Sequence, residues 1–194
     1  EIPLRLVGSE MCIRDRDTLS QYREVFTFPI EDYYKRVGFD FDKIPFSMLA
    51  HEYMEDYQEK SYACDLHSDV LDVVNKAKNL GFSQTVLSAS KMDYLLKQME
   101  TLHVDDLFDS IYGINDIYAK SKVELAHAFK QTCSLDDEIY FVGDSVHDYE
   151  VAKSIGAKCI LVTTGHQNRA TLESVNVPVM DSLMESLDLI YERD

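Results

Sequence analysis

From residue 69 onward the apolar positions switch between two spacings. Short unbroken apolar runs recur, and between them apolar residues fall three or four apart. Val70, Leu71, Val74 and Ala77 mark a helical face that Gly81 terminates. Gln84–Leu87 is a short strand leading into Ser88-Ala89-Ser90, and Met92, Leu95, Leu96 and Met99 mark the next helix. Phe108–Gly113 reads as strand and turn, Lys122–Phe129 as helix, Ile139–Val142 as strand, and Val146–Ile155 as a helix stopped by Gly156. Lys158–Val162 is a further strand, followed by a loop through Gly165 and a helix over Arg169–Val175. Val177–Val179 reads as an edge strand kept short by Pro178, and Asp181 caps a last helix reaching Tyr191. Repeated β-α units predict an α/β fold built on a doubly wound parallel sheet. Ile139–Val142 has no polar interruption, so it is expected to be buried on both faces.

Residues 17–66 show helical spacing and no strand. Thr18 with Gln21 forms a capping-box pattern ahead of Leu19, Tyr22 and Val25. Pro29 opens Ile30–Val37, which Gly38 closes, and Pro45 leads an amphipathic run through Phe46, Leu49, Tyr53 and Tyr57 toward Tyr62. The expectation is a small helical insert over 17–66, the part that the family resemblance given below makes a helical cap, beside a core over 67–194. Phe39-Asp40-Phe41-Asp42 follows a helix, and Lys43-Ile44 stand where a nucleophile turn needs glycine, so these are loop acids. Tyr33, Tyr34, Tyr53, Tyr57 and Tyr62 read as cap core and rim.

The first sixteen residues break the pattern. Leu6–Asp15 coincides with the translation of a sequencing-library adapter, and Arg16 fits the partial codon that adapter leaves. Ile2, Leu4 and Leu6 alternate as in a strand, but over too short a stretch to outweigh that match. Residues 1–16 are therefore expected to be non-native, with native sequence starting near Asp17.

Composition narrows the function. A chain of 194 residues that is 45% hydrophobic can bury one domain plus a small insert. Its net charge of −16 speaks against nucleic acid, whose backbone needs a basic face. An acidic chain can still take an anionic substrate where a metal and a lysine reverse the field. No apolar run reaches membrane-spanning length and no signal-peptide pattern stands out, so no membrane partner is expected. Cys12, Cys64, Cys133 and Cys159 have neither metal nor disulfide spacing and read as thiols of a reducing, cytoplasmic compartment.

The candidate chemistry gathers at one sheet edge. Ser88 ends one strand, Lys122 begins a helix after another, and Asp144 and Asp148 follow a third in Gly-Asp-Ser-Val-His-Asp. All three loops open on the carboxyl edge, where open α/β sheets place their ligands. A hydroxyl, an ammonium and two carboxylates able to hold Mg²⁺ make a phosphate site. Singly, each has a plainer reading: Ser88 and Asp144 as turn residues, Lys122 as a solvated lysine, Asp148 as an acid favoured at a helix start. The ordered combination is what points to chemistry. His147 reads as a surface histidine, and Gly165-His166-Gln167-Asn168 either closes over a ligand or is a structural turn.

That order resembles the haloacid dehalogenase-like hydrolase superfamily, and within it the phosphoglycolate-phosphatase-like branch with a helical cap. The resemblance spans Asp17 to about Leu187. It implies a Rossmann-like core, with Asp144 and Asp148 as the Mg²⁺ motif and Ser88 in Thr-Val-Leu-Ser-Ala-Ser binding the transferring phosphoryl group. Lys122 in Ala-Lys-Ser-Lys would steady nucleophile and phosphate, so that Lys122 and Asp144 are the catalytic residues present. The implied activity is Mg²⁺-dependent hydrolysis of a small phosphorylated metabolite such as phosphoglycolate, through an aspartyl-phosphate that water then cleaves. The family's Asp-x-Asp-Gly-Thr motif, whose first carboxylate is the nucleophile, is absent. It belongs just upstream of the cap, where the adapter-like stretch stands. The expectation is a core lacking its first strand and a chain inactive as it stands. Leu66-His67-Ser68-Asp69 also replaces a Pro-Gly turn frequent in relatives. The rival readings are a phosphomutase of the same superfamily and a non-catalytic phosphate-binding fragment. A receiver-like module would carry its acids before the hydroxyl and lysine, the reverse of the order here. Substrate identity and oligomeric state stay open.

Overall fold

The computed structural model describes residues 19–27, 30–48, 62–114 and 121–192. The adapter-like segment, Thr18, Pro29 and the amphipathic run between Met48 and Tyr62 lie outside the described residues. The chain divides into two compact units, 1–64 with 166–168, and 65–165 with 169–194.

In the first unit, α1 (Leu19–Val25) and α2 (Ile30–Arg36) are amphipathic. Gly38 ends the second at φ 98°, a left-handed conformation that a side chain would strain. Phe26, Tyr33, Tyr34 and Val37 are buried, with Tyr22, Phe39, Phe41 and Phe46 packed around them. Their rings meet edge to face, as at Tyr34–Phe39 and Phe41–Phe46. Burial, with the neighbouring Tyr33, pushes the Tyr34 phenol up to about 12. Asp40 caps its own loop, accepting from the Asp42 amide at 3.1 Å and pairing with Lys43 at 3.1 Å. The loop reading of Phe39–Asp42 therefore stands.

The second unit runs α3 (Val70–Asn79), β1 (Thr85–Lys91), α4 (Met92–Thr101), a 3₁₀ turn at Asp105–Leu107 and β2 (Ser110–Ile114). It continues with α5 (Lys122–Lys130), β3 (Tyr140–Gly143), α6 (Val146–Ser154) and β4 (Lys158–Val162). The last elements are α7 (Arg169–Glu173), β5 (Val179–Met180) and α8 (Leu183–Tyr191). Every strand pairing is parallel, which makes the fold α/β with Rossmann-like βα units, as the periodicity predicts. Among the described residues the strands fall into two sheets, β1–β2 and β3–β4–β5. The helical layer joins them: α5 packs on β1, β2 and α6, and α6 packs on β3 and β4. Leu87 of β1 and Phe141 of β3 both pack against the buried cluster Ala126, Val151 and Ile155. No helix among the described residues is long and apolar enough to cross a membrane.

Several boundaries move. β1 extends to Lys91 because pairing resumes at Lys91↔Ile114 after an irregularity beyond Leu87, so Ser88 lies within the strand rather than at its end. The short edge strand is Val179–Met180. Ser182, not Asp181, caps α8, its Oγ accepting from the Glu185 amide at 3.2 Å, while Asp181 is held by Arg169 and Thr163. Asp69, in the stretch that departs from the family's turn, accepts from the Leu183 amide at 3.0 Å and ties α3 to the start of α8. The expectation that Ile139–Val142 is buried on both faces is corrected. Val142 is 37% exposed, because β3 pairs with β4 alone among the described strands.

Candidate functional site

β3 ends at Gly143, and the residues that follow wind directly into α6. Ser145 is the N-cap, its Oγ accepting from the Asp148 amide at 3.2 Å. Asp148 Oδ2 returns the favour three ways, accepting from the Asp144 amide at 3.0 Å, the Ser145 amide at 3.1 Å and Ser145 Oγ at 2.7 Å. This closes a capping box and fixes the turn that carries Asp144. Gly143 makes the turn possible: a Cβ there would lie 2.6 Å from Asp148 Cγ and 2.8 Å from Oδ2. The plain reading of Asp148 as a helix-start acid is correct, and it is half of what the residue does.

The other half is Lys122. The lysine is the first residue of α5, after the N-cap Ser121, whose Oγ accepts from the Glu124 amide at 3.3 Å. Its Nζ donates to Asp148 Oδ1 at 2.6 Å and lies 5.6 Å from the centre of the Phe141 ring. The starts of α5 and α6 thus meet at one edge. Both partners are shielded, with side-chain exposures of 18% for Lys122 and 4% for Asp148. Burial works against the Asp148 charge. The Lys122 ammonium and the hydrogen bonds from Lys122, Ser145 and the Asp144 amide outweigh it and hold the carboxyl below the usual range. Cys159, buried on β4, feels the same region: burial first and the Asp148 charge second push its thiol up to about 12.

Asp144 leans the other way, onto the loop after β4. A Cβ on Gly165 would fall inside the Asp144 carboxylate, its three nearest neighbours being Asp144 Oδ2, Cβ and Cγ. Ser88 is not tied into this network, its Oγ accepting from the Ser90 amide at 3.1 Å. Its strand nonetheless packs against α5, the helix that starts with Lys122. The fold therefore joins Lys122, Asp144 and Asp148 directly and brings Ser88 in through its strand.

The donor set fits Mg²⁺. It is all oxygen, and among the described residues no group of three or more His, Cys, Asp and Glu side chains forms a cage. Mg²⁺ binds typically through one or two carboxylates and keeps several waters. Asp144 rests on the bare backbone of Gly165. Asp148 gives both its oxygens to protein donors, so its part is to set the loop as well as to lend charge.

The sequence singles out Gly143 as the end of an apolar run and Gly165 as part of a loop at the same sheet edge, but not the contacts that make them glycine. The contact of Gly165 with Asp144 joins residues far apart in the chain, so no local pattern signals it.

The sequence profile of the family described as haloacid dehalogenase-like hydrolase matches residues 12–162, more than half of the chain. The match begins within the stretch set apart as non-native and takes in Asp15-Arg16-Asp17-Thr18, which keeps the acid-x-acid spacing without the glycine. Among curated proteins nothing matches. Solved structures share the fold. A haloacid dehalogenase-like hydrolase from Streptococcus pneumoniae superposes with a TM-score of 0.75 at 20% identity, over 90% of this chain and 81% of its own. A predicted phosphatase from Clostridium acetobutylicum gives 0.73 at 19% identity, over 91% and 83%. A predicted phosphoglycolate phosphatase from Haemophilus somnus gives 0.61 at 17% identity, over 82% and 76%. At such identities the likeness establishes the fold alone.

Proposed function

The chain belongs to the haloacid dehalogenase-like hydrolase family, and from that premise we propose that its site is that of a Mg²⁺-dependent phosphomonoesterase for a small phosphorylated metabolite such as phosphoglycolate. The observation that carries this reading is the 2.6 Å contact between Lys122 and Asp148. It sets an ammonium beside an acid pair at one edge of the fold, and a phosphate ester needs both signs there.

In this reading Ser88 donates a hydrogen bond to a phosphoryl oxygen. Lys122 supplies a positive point charge whose position Asp148 and the Phe141 ring restrict. Asp144 and Asp148 are the residues that would hold Mg²⁺, which when bound offsets negative charge on the phosphoryl oxygens. The capping box keeps the Asp144 backbone from shifting as charge moves. Transfer to a carboxylate calls for the family's first motif. Here only the incomplete Asp15-Arg16-Asp17-Thr18 stands in its place, so we expect ester binding without turnover from the chain as it stands. The same site residues would serve a phosphomutase, which the assay below separates by its product.

The test has two arms. Calorimetry with Mg²⁺ on the intact chain should show uptake that Asp144→Ala removes. Phosphate release from a panel of small phosphate esters should then appear when the family's first strand and Asp-x-Asp-Gly-Thr motif are restored upstream of the cap in place of residues 1–16, and should require Mg²⁺. A folded protein that takes up no Mg²⁺, and releases no phosphate in either form, would sink the proposal. Isomerised ester without free phosphate would make the enzyme a mutase.

A further inference from the structure

We infer that Gly165 is the positioning residue of Asp144. The inference rests on the metal-site reading above only for its functional half. Its structural half stands on packing alone.

Two observations carry it. First, the space over Gly165 is filled by Asp144 and by nothing nearer. The three heavy atoms closest to a Cβ placed there are all in the Asp144 side chain. Second, Gly165 is not among the glycines with positive φ, which are Gly38, Gly81 and Gly156. Its backbone would accept an alanine without strain, so glycine is required there by the carboxylate and not by the turn.

β4 runs into the loop from Val162, buried in the sheet, with the Thr163 amide donating to the Met180 carbonyl at 3.0 Å. Gly165, two residues on, is packed against the Asp144 side chain. A carboxylate meant to bind a metal needs its rotamer fixed by something other than the metal, and a backbone wall tied to the sheet does that. Gly165 touches no reacting atom in this account. Its effect passes through Asp144.

A double-mutant cycle separates the two halves. Gly165→Ala should lower thermal stability, whereas in an Asp144→Gly background, where the colliding atoms are gone, the same change should cost little. If Gly165→Ala alone fails to fold, the Gly165→Ala/Asp144→Gly chain should fold. Equal losses in both backgrounds, or a double variant that also fails, would overturn the inference. For the functional half, Mn²⁺ affinity followed by electron paramagnetic resonance should fall about 10- to 100-fold in a folded Gly165→Ala, the usual range for outer supports of a metal ligand. Unchanged Mn²⁺ affinity in a folded Gly165→Ala, with a wild type that binds the ion, would overturn the inference. A wild type that binds no Mn²⁺ while the stability cycle still shows coupling would overturn the metal-site reading and leave the positioning of Asp144 intact.

Discussion

β3 and β4 are neighbours in one parallel sheet, paired from Tyr140↔Lys158 to Gly143↔Leu161, and both are built mainly of apolar residues. β4 is buried at every position after Lys158, with Leu161 fully so. β3 is buried at none, and Val142 is 37% exposed. Hydrophobicity does not account for the difference. β4 lies between two strands and packs against α6 and α8, whereas β3 has one partner among the described strands. What β3 lacks in burial it recovers at its end, where Gly143, Ser145 and Asp148 lock the turn and Lys122 closes over it. One strand is held by its sides and the other by its terminus. Both serve the site, since β3 delivers Asp144 and β4 delivers the glycine it rests on.

The strongest way to break this comparison is to remove the lock. Lys122→Met leaves Asp148 buried and uncompensated, and should cost about 3–5 kcal/mol in urea unfolding. A loss no larger than that of an ordinary surface change would mean the terminus does not hold β3. Next comes the interior of β4. Leu161→Ala should cost about 2–5 kcal/mol, because the residue is fully buried and the surrounding strands cannot close the cavity. A smaller effect than at Val142 would reverse the ranking of the two strands.

Acid should act on the terminus specifically. The Asp148 carboxyl sits below its ordinary value in the fold, so the stability it lends is full at neutral pH. That stability is lost as pH falls through the ordinary aspartate range, near about 4, toward the folded value. Denaturation curves taken down the pH scale should show the loss, and Asp148→Asn should flatten that part of the profile. Val142→Ala, by contrast, should cost under about 1 kcal/mol, since much of the removed surface already faces solvent. The mildest probe leaves stability alone. With its thiol pushed up to about 12 and buried, Cys159 should resist alkylation in the native protein while exposed Cys64 reacts. Rapid labelling of Cys159 would mean β4 is not the sealed strand described here.

Much of this was legible in the residue order. Period changes located the helices and strands of the second unit to within a few residues, because burial on one helical face or in a strand repeats at a fixed spacing. The order of Ser88, Lys122, Asp144 and Asp148 suggested both the family and the site. The errors share one cause. Ser88 was set at a strand end because the apolar run stops at Leu87, yet β1 continues through small polar residues by pairing with β2. Local pattern makes Asp181 the cap of α8, but Arg169 and Thr163 claim it and leave Ser182 to do the capping.

By itself, then, the sequence determined the element types, the parallel βα repeat and the identity of the charged residues, because each depends on spacing within a few residues. Tertiary structure alone decided which strand is covered, that Lys122 spends its charge on Asp148, and that Gly165 is glycine for the sake of Asp144. Each of those depends on what arrives from elsewhere in the chain, and no local pattern encodes a neighbour that the fold has yet to supply.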